Sequence, residues 1–143
     1  MASVTSLITE ENRPHWEALN QRELRLQKCA GCGHIRFPAR WICPQCLGEQ
    51  FIWDKMSGLG TVESFIWYFE RPAAIPDFSL EAPYNVAAVR LDEGLVLLSN
   101  VLNIAFGELV VGDRLKATFD ALPDGWNILR FLPDRGGGGG NNR

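Results

Sequence analysis

The stretch that decides the fold is Cys29-Ala-Gly-Cys32-Gly33 together with Cys43-Pro-Gln-Cys46, with ten residues between Cys32 and Cys43. Each Cys-x-x-Cys unit can form a tight turn that points two thiolates toward one position. Two such units supply the four sulfur ligands of a tetrahedral structural zinc site. The chain has no other cysteine, so no thiol is left over. We therefore predict a structural Zn²⁺ bound by Cys29, Cys32, Cys43 and Cys46.

Four cysteines could also form disulfides, a catalytic zinc site or an iron site. Disulfides would require an oxidising compartment, and residues 1–12 have neither the basic start nor the apolar run of a secretory signal. We therefore expect a cytoplasmic protein with free thiolates. A catalytic zinc would need an open coordination position, which four sulfurs do not leave. A redox iron, as in rubredoxins, stays open as an alternative, although ligand softness favours zinc.

The composition limits the class of function. Hydrophobic residues make up 46% of the 143-residue chain, enough for the core of one ordinary domain. The net charge of -3 argues against a general polyanion-binding surface, and no apolar run could span a bilayer. We expect neither nucleic acid nor membrane as a partner. Five tryptophans and eight phenylalanines are many for this length, so some are expected to contact another protein.

Local patterns predict a mainly β protein. Asn12 or Thr9 can cap a short helix with Pro14 in its first turn. Alternating apolar and polar residues after Glu23 and again at 35–37 predict strands of a metal-clamped hairpin. Turns such as Asp92-Glu93-Gly94 then separate five further strands, as in a small OB-fold barrel. The predicted segments are an N-terminal helix with a lead-in strand (1–28), a rubredoxin-like zinc ribbon (29–57), a five-stranded OB-fold barrel (58–134) and a disordered Gly/Asn tail (135–143).

The succession of short motifs from Trp16 to Pro133 resembles a known family. The matching pieces are the Trp16 helix, Leu26 to Gly33, Phe37-Pro38-Ala39-Arg40, Cys43 to Cys46, Ser57-Gly58-Leu59-Gly60-Thr61-Val62, Pro83-Tyr84-Asn85-Val86-Ala87, Leu91-Asp92-Glu93-Gly94, Leu98-Ser99-Asn100 and Val111-Gly112-Asp113. The chain is similar to the acyl-CoA-associated OB-fold proteins with an N-terminal rubredoxin-like zinc ribbon. One departure is Leu47, where the family often has a glycine after the last cysteine.

The resemblance implies a non-catalytic zinc-binding subunit in a hetero-oligomer with a thiolase-like catalytic subunit or acyltransferase. It implies that the chain docks on that subunit and helps to form the entrance for acyl-CoA or CoA, with the CoA thioester bound at or near the interface. An accessory subunit of an enoyl-CoA hydratase or of a lipid-transfer aldolase is an alternative. The acyl chain and the reaction belong mostly to the partner.

The chain itself offers no evident catalytic residue. Its cysteines are committed to metal, so none is available as a nucleophile. His15 and His34 are the only histidines, and neither has a nucleophile partner in the sequence. His34 beside the first ligand pair could replace one cysteine, but a surface imidazole is the simpler interpretation. The carboxylates of Asp92 and Glu93 lie at a turn, where solvated side chains are ordinary.

Candidate contacts with CoA or a partner fall into a basic and an aromatic set. Guanidinium groups bind phosphate in a forked geometry, so basic residues around the ribbon could meet the CoA phosphates. Alternate residues of the aromatic run 65–69 must point away from a barrel core. Alternatively, the basic residues form a solvated face of the ribbon, and the outward rings pack beneath the loop 72–83. The candidates are Lys28, Arg36, Arg40, Phe37, Trp41, Trp67, Tyr68, Phe69 and Arg71.

Two further classes of function compete with this interpretation. An OB module can bind single-stranded nucleic acid with aromatic platforms and a basic groove. Lys116 is the only lysine after Gly58, which counts against that class. A rubredoxin-like electron carrier would contain iron and absorb visible light, whereas zinc protein is colourless.

Overall fold

The structure is a computed structural model that describes residues 4–73 and 80–135. A short 3-10 turn, Val4–Leu7, precedes the helix α1, Arg13–Asn20. Eight strands follow: β1 Arg25–Cys29, β2 Ile35–Arg36, β3 Phe51–Lys55, β4 Leu59–Tyr68, β5 Tyr84–Leu91, β6 Val96–Ser99, β7 Arg114–Ala121 and β8 Asn127–Pro133. The described residues form two compact units, a ribbon unit (4–57 and 119–128) and a barrel unit (58–73, 80–118 and 129–135). The predicted domain boundaries stay a prediction.

In the ribbon unit, α1 buries one face. His15, Ala18 and Leu19 are buried, and Pro14 lies in the first turn as predicted. The side chains of the predicted cap residues bond to the main chain of one another rather than to the helix: the Thr9 N–H donates to Asn12 Oδ1 at 2.7 Å, and the Asn12 N–H donates to Thr9 Oγ1 at 3.2 Å. This loop fixes the start of the helix without a side-chain cap.

The ribbon sheet has the order β2-β1-β3 and is antiparallel. Gln27 at the centre of β1 lies opposite Arg36 of β2 and Trp53 of β3. The last residue of β1, Cys29, lies opposite Phe51. The sheet therefore positions the first metal ligand at its end.

The barrel sheet has the order β6-β5-β4-β7-β8. Its two ends meet at a bridge between Val101 and Phe131, and Ser99 Oγ donates to the Leu129 carbonyl at 3.0 Å. Gly60 allows β4 to pass close to β5, because a Cβ there would lie 2.8 Å from the Arg90 carbonyl oxygen. Glycine within a strand is typical of such a close approach of two backbones.

Alternate residues of the barrel strands fill one core. Every second residue of β5 is buried, including Ala87, Val89 and Leu91, and Phe131 is fully buried among the described residues. The predicted fold class is confirmed: a mainly β protein with a short N-terminal helix, a zinc ribbon and a five-stranded OB-fold barrel. Residues 74–79 of the predicted loop 72–83, and residues 136–143 of the predicted disordered tail, lie outside the described residues.

Candidate metal centre

The four cysteine sulfurs lie within 4.8 Å of one another. The Sγ atoms of Cys29 and Cys46 are 3.5 Å apart, and those of Cys32 and Cys43 are 3.7 Å apart. A tetrahedral zinc with Zn–S bonds of about 2.3 Å separates its sulfurs by about 3.8 Å. The sulfur arrangement therefore fits one tetrahedral zinc ion, and four sulfur ligands leave no position for a catalytic water.

Two backbone turns with the same hydrogen bonds hold the ligands. In the first, the Gly33 N–H donates to the Cys29 carbonyl at 2.9 Å. In the second, the Leu47 N–H donates to the Cys43 carbonyl, also at 2.9 Å. Gly33 has φ 80° and Leu47 has φ 65°, so the residue after each second cysteine is left-handed. The backbone at position 47 thus favours glycine, the residue that the family often has there.

A matched pair of substitutions tests the strain at this position. A non-glycine residue in the left-handed region costs about 1–2 kcal/mol, of which the greater freedom of unfolded glycine offsets part. Leu47 is exposed, so Leu47→Gly loses little packing and should raise the free energy of unfolding by about 0.5–1 kcal/mol. Gly33→Ala has open space around the new Cβ and should lower it by a similar amount. Urea unfolding of the zinc-loaded variants measures both free energies of unfolding. A change of the same sign in the two variants would contradict backbone strain at Leu47.

Backbone amides also point at the sulfurs. The Gly31 N–H donates to Cys29 Sγ at 3.3 Å, and the Gln45 N–H donates to Cys43 Sγ at 3.4 Å. Backbone N–H groups of Cys32 and Gly31 lower the pKa of the Cys29 thiol to about 6. The His34 N–H would lower the pKa of Cys32, but desolvation and the three neighbouring sulfurs raise it to about 12.

Zinc binding should depend on pH, because protons compete with zinc for the thiolates. A thiol in an unfolded segment has a pKa of about 8.5, so zinc uptake by a chain with an unfolded ribbon releases protons near neutral pH. Each displaced proton costs about tenfold in apparent affinity per pH unit. We expect the apparent affinity to fall steeply with decreasing pH. Competition with a chromophoric chelator from pH 5.5 to 8 measures this, and a pH-independent affinity would contradict it.

His34 does not belong to the sulfur cluster. Within the described residues, the group that could hold a metal consists of the four cysteines alone. The His34 backbone carbonyl accepts the Cys29 N–H at 2.9 Å, so His34 supports the first turn through its main chain. The ring is half-buried.

The three basic candidates are placed differently by the ribbon. Lys28 lies 3.9 Å from the Asp54 carboxylate, and the Arg40 side chain is exposed. Arg36 is buried: its Nη2 donates to the Arg40 carbonyl at 2.8 Å, and its guanidinium lies 4.9 Å from the centre of the Phe51 ring. The structure therefore does not bring the three cations together on one surface. Contact of Lys28 and Arg40 with CoA stays a prediction.

The aromatic candidates of the ribbon are exposed. Phe37 and Trp41 both present a large part of their rings to solvent, and Ile42 beside Trp41 is also exposed. Phe37 packs on His15 with ring centres 5.1 Å apart, and Trp41 lies 6.5 Å from Phe51. Trp41 and Ile42 directly precede Cys43, so two of these exposed side chains lie beside the second cysteine pair in the sequence.

The aromatic candidates of the barrel point in two directions. Trp67 is half-buried against Phe106, with ring centres 5.4 Å apart, and Phe69 packs on the same ring at 5.0 Å. Tyr68 is exposed and stacks on Tyr84. Arg71 follows β4 and is exposed.

An exposed apolar face on the barrel was missed by the sequence analysis. Ile66 and Tyr68 of β4 lie opposite Val86 and Tyr84 of β5, and Leu98 of β6 lies opposite Ala88. Ile66 is 54% exposed and Leu98 is 73% exposed. We call this surface the outer β4-β5-β6 face. The apolar run 65–69 was the signal, but it did not show which side of the strand faces the core.

These features define a class, namely OB-fold proteins that carry a rubredoxin-like zinc ribbon. The family model for the ChsH2 rubredoxin-like zinc ribbon domain matches residues 16–51, and that for the ChsH2 C-terminal OB-fold domain matches residues 53–120. The chain belongs to this ChsH2, or DUF35, family. The resemblance seen in the sequence is thereby confirmed.

Relatives of the chain are subunits and scaffold proteins. It is 35% identical over 105 residues to a probable enoyl-CoA hydratase alpha subunit of Thermomonospora curvata, covering 73% of this chain but only 32% of that protein. It is 33% identical over 115 residues to a DUF35 domain-containing scaffold protein of Methanothermobacter thermautotrophicus, covering 79% and 84%. It is 29% identical over 101 residues to the benzoylsuccinyl-CoA thiolase subunit BbsA of Thauera aromatica, covering 71% and 66%.

A solved structure extends the likeness to three dimensions. A chain of an Ltp2-ChsH2(DUF35) aldolase superposes with a TM-score of 0.78 at 31% identity, covering 88% of this chain and 96% of that one. Within the part of the chain that the structure describes, no helix has the length and apolar character needed to cross a membrane.

Proposed function

We propose that the chain is the non-catalytic subunit of a thiolase-type acyl-CoA enzyme and docks on the catalytic subunit in a hetero-oligomer. The observation that carries the proposal is the outer β4-β5-β6 face. Exposed apolar side chains lie next to one another there, and the largest of them are Ile66, Tyr68 and Leu98. Contiguous apolar patches of this kind mark protein interaction sites. The relatives that are subunits of CoA-thioester enzymes support a catalytic subunit as the partner.

Three observations support a role without catalysis by the chain itself. All four thiols lie in the sulfur cluster. His15 is buried, and its Nδ1 donates to the Arg25 carbonyl at 3.1 Å. The Asp92 carboxylate, at the turn after β5, is held by both terminal nitrogens of Arg114 at 2.8 and 2.9 Å. The four thiols, His15 and Asp92 are thus engaged in structure.

The ribbon would contribute to the entrance for CoA. Arg40 and Lys28 carry positive charge on the same unit as the exposed rings of Phe37 and Trp41. Cations can meet the CoA phosphates, and aromatic rings can pack on the adenine or the pantetheine stem. Trp67, Tyr68, Phe69 and Arg71 would contact CoA or the catalytic subunit from the barrel unit. Free thiolates for zinc require a reducing compartment, which favours the cytoplasm.

A hydratase-type partner is the second candidate. It is favoured by the 35% identity to the probable enoyl-CoA hydratase alpha subunit, although this chain spans about a third of that protein. Both candidates share the docking role and differ in the chemistry of the catalytic subunit.

Co-purification and turnover distinguish these outcomes. The zinc-loaded chain would be co-expressed in turn with a thiolase-like and a hydratase-like catalytic subunit encoded beside it in its native genome. We expect a stable complex with the thiolase-like subunit, acyl-CoA turnover by the complex and none by the chain alone. A complex with the hydratase-like subunit only would favour the second candidate. Full turnover and full CoA affinity of the catalytic subunit without this chain would refute the proposal.

A further inference from the structure

The loop 37–42 connects β2 to the second cysteine pair and carries several exposed side chains. Phe37, Trp41 and Ile42 are exposed apolar residues, and the Arg40 side chain between them is exposed as well. Residues 37–42 belong to no helix or strand. Another part of the ribbon unit must therefore fix the directions of these side chains.

Two buried side chains supply every hydrogen bond that residues 37–42 make within the described part of the chain. Gln27 Oε1 accepts the Arg40 N–H at 2.8 Å. Arg36 Nε and Nη2 both donate to the Arg40 carbonyl, at 3.3 and 2.8 Å. No hydrogen bond between two main-chain groups involves residues 37–42 in that part of the chain. Both polar groups of the Arg40 main chain are thus held from buried positions on β1 and β2.

The ribbon sheet fixes these two side chains in turn. Gln27 lies opposite Arg36 in the register of β1 and β2. The Arg36 guanidinium lies 4.9 Å from the centre of the Phe51 ring on β3, and the Trp41 ring lies 6.5 Å from the same ring. All three strands of the sheet therefore contribute to holding the loop at Arg40 and Trp41.

This arrangement costs stability. Arg36 Nη1 and Gln27 Nε2 are buried, and neither has a hydrogen-bond partner within residues 4–73 and 80–135. Each buried donor without a partner destabilises the fold, and an apolar side chain of similar length would avoid that penalty. What the two polar side chains provide in return is a fixed conformation of the loop, the use for which buried polar groups are retained in some proteins.

We propose that Gln27 and Arg36 are positioning residues for CoA. They hold loop 37–42 in one conformation, in which the Arg40 guanidinium and the Trp41 ring meet the nucleotide end of the coenzyme. A guanidinium or a ring that is already fixed loses less conformational freedom when it binds a phosphate or an adenine. This inference rests on the proposed function, because it takes CoA as the ligand of the ribbon.

Calorimetric titration of CoA into the complex of the zinc-loaded chain with its catalytic subunit tests the proposal. We expect Gln27→Met and Arg36→Met each to weaken CoA binding about tenfold. The double variant should lose less than the product of the two losses, because both residues act through Arg40. Gln27→Glu keeps an acceptor oxygen for the Arg40 N–H and should bind CoA within about threefold of the unaltered chain. The control Lys55→Met removes an exposed charge from β3 of the same sheet and should change nothing.

A truncated ligand separates positioning from a general loss of stability. Pantetheine has the stem of CoA without the nucleotide, so its affinity for the complex should be the same in both methionine variants as in the unaltered chain. Docking on the catalytic subunit should also be unchanged, because the outer β4-β5-β6 face belongs to the barrel unit. Native CoA affinity in both methionine variants would overturn the proposal. Equal losses for CoA and pantetheine, or an equal loss of docking, would overturn it as well.

Hydrogen exchange in the free zinc-loaded chain tests the hold on the loop without a partner. The Arg40 amide should exchange at least tenfold faster in Gln27→Met and in Arg36→Met, while the amides of β1 and β3 keep their native protection. An Arg40 amide that stays protected in both variants would overturn the proposal and leave the proposed function intact. A catalytic subunit that binds CoA equally well without the unaltered chain would instead refute the proposed function, and this proposal with it.

Discussion

Cys43→Ser is expected to leave the ribbon unit unfolded at 25 °C. Apparent zinc-binding energies of about 10–16 kcal/mol drive the folding of small four-ligand domains. The ribbon has few buried apolar side chains of its own, chiefly Leu19, Leu24, Leu26 and Met56. Metal binding therefore has to supply stability that the core lacks. The Cys43 sulfur is buried, and a serine hydroxyl there would be a poor ligand for zinc.

Tryptophan fluorescence reports the unfolding of the ribbon unit. Four of the five, at positions 16, 41, 53 and 126, lie in the ribbon unit, and Trp67 lies in the barrel unit. We expect a red-shifted fluorescence spectrum, loss of amide protection over β1 to β3, and loss of one equivalent of zinc by elemental analysis. Gln45→Ala is the matched control, because it keeps the N–H that bonds Cys43 Sγ and should bind zinc normally.

Native protection of the ribbon amides in metal-free Cys43→Ser protein would contradict a structural role for the ion. Removal of zinc from the unaltered chain by a chelator should give the same spectrum as the variant. Addition of zinc should then restore the native spectrum in the unaltered chain and in Gln45→Ala, but not in Cys43→Ser.

The metal centre was predictable because its geometry is local. The spacing within each Cys-x-x-Cys unit fixes one turn, and the chain needs only a hairpin to bring the two turns together. The Leu47 position was likewise visible as a departure from glycine, and the structure gives it the left-handed φ of 65°. The barrel strands followed from alternation and turn residues, which act over a few positions.

The burial of Gln27 was not predictable from the same alternation. The pattern Leu24, Leu26 against Arg25, Gln27 predicts that Gln27 faces solvent, and the structure buries it completely. The ribbon sheet is covered where α1 packs, so both faces of β1 are buried near its centre. Burial of a polar residue then depends on partners that only the folded chain provides, here the main chain of a residue 13 positions away.

The same limit explains why the aromatic run did not show which of its residues face outward. Phe65, Ile66, Trp67, Tyr68 and Phe69 are all apolar or aromatic, so a period of two cannot identify the inner side. The pairing of β4 with β5 shows how the side chains divide between the two faces, because it places Ile66 and Tyr68 on one face. Ile66 was not among the predicted contacts, yet it is more exposed than Tyr68.

Ile66→Lys is expected to weaken docking on the catalytic subunit at least 100-fold. Ile66 lies near the middle of the outer β4-β5-β6 face, next to Tyr68, Tyr84 and Val86. A lysine there would have to lose its hydration against apolar side chains on binding, which costs several kcal/mol, and 100-fold corresponds to about 2.7 kcal/mol. The side chain is more than half exposed in the free chain, so stability should change by less than about 0.5 kcal/mol.

A matched control separates docking from a general effect of charge. Val111→Lys adds the same charge at a side chain that is 60% exposed, in the turn before β7 and outside the face. Leu98→Lys adds it on the face, in β6. Calorimetric titration of the catalytic subunit into each variant should therefore show large losses for Ile66→Lys and Leu98→Lys and near-native affinity for Val111→Lys. Equal losses in all three would indicate charge repulsion rather than a buried apolar contact, and native affinity in the two face variants would place the interface elsewhere. The zinc ligands do not enter this comparison, because all three substitutions lie in the barrel unit.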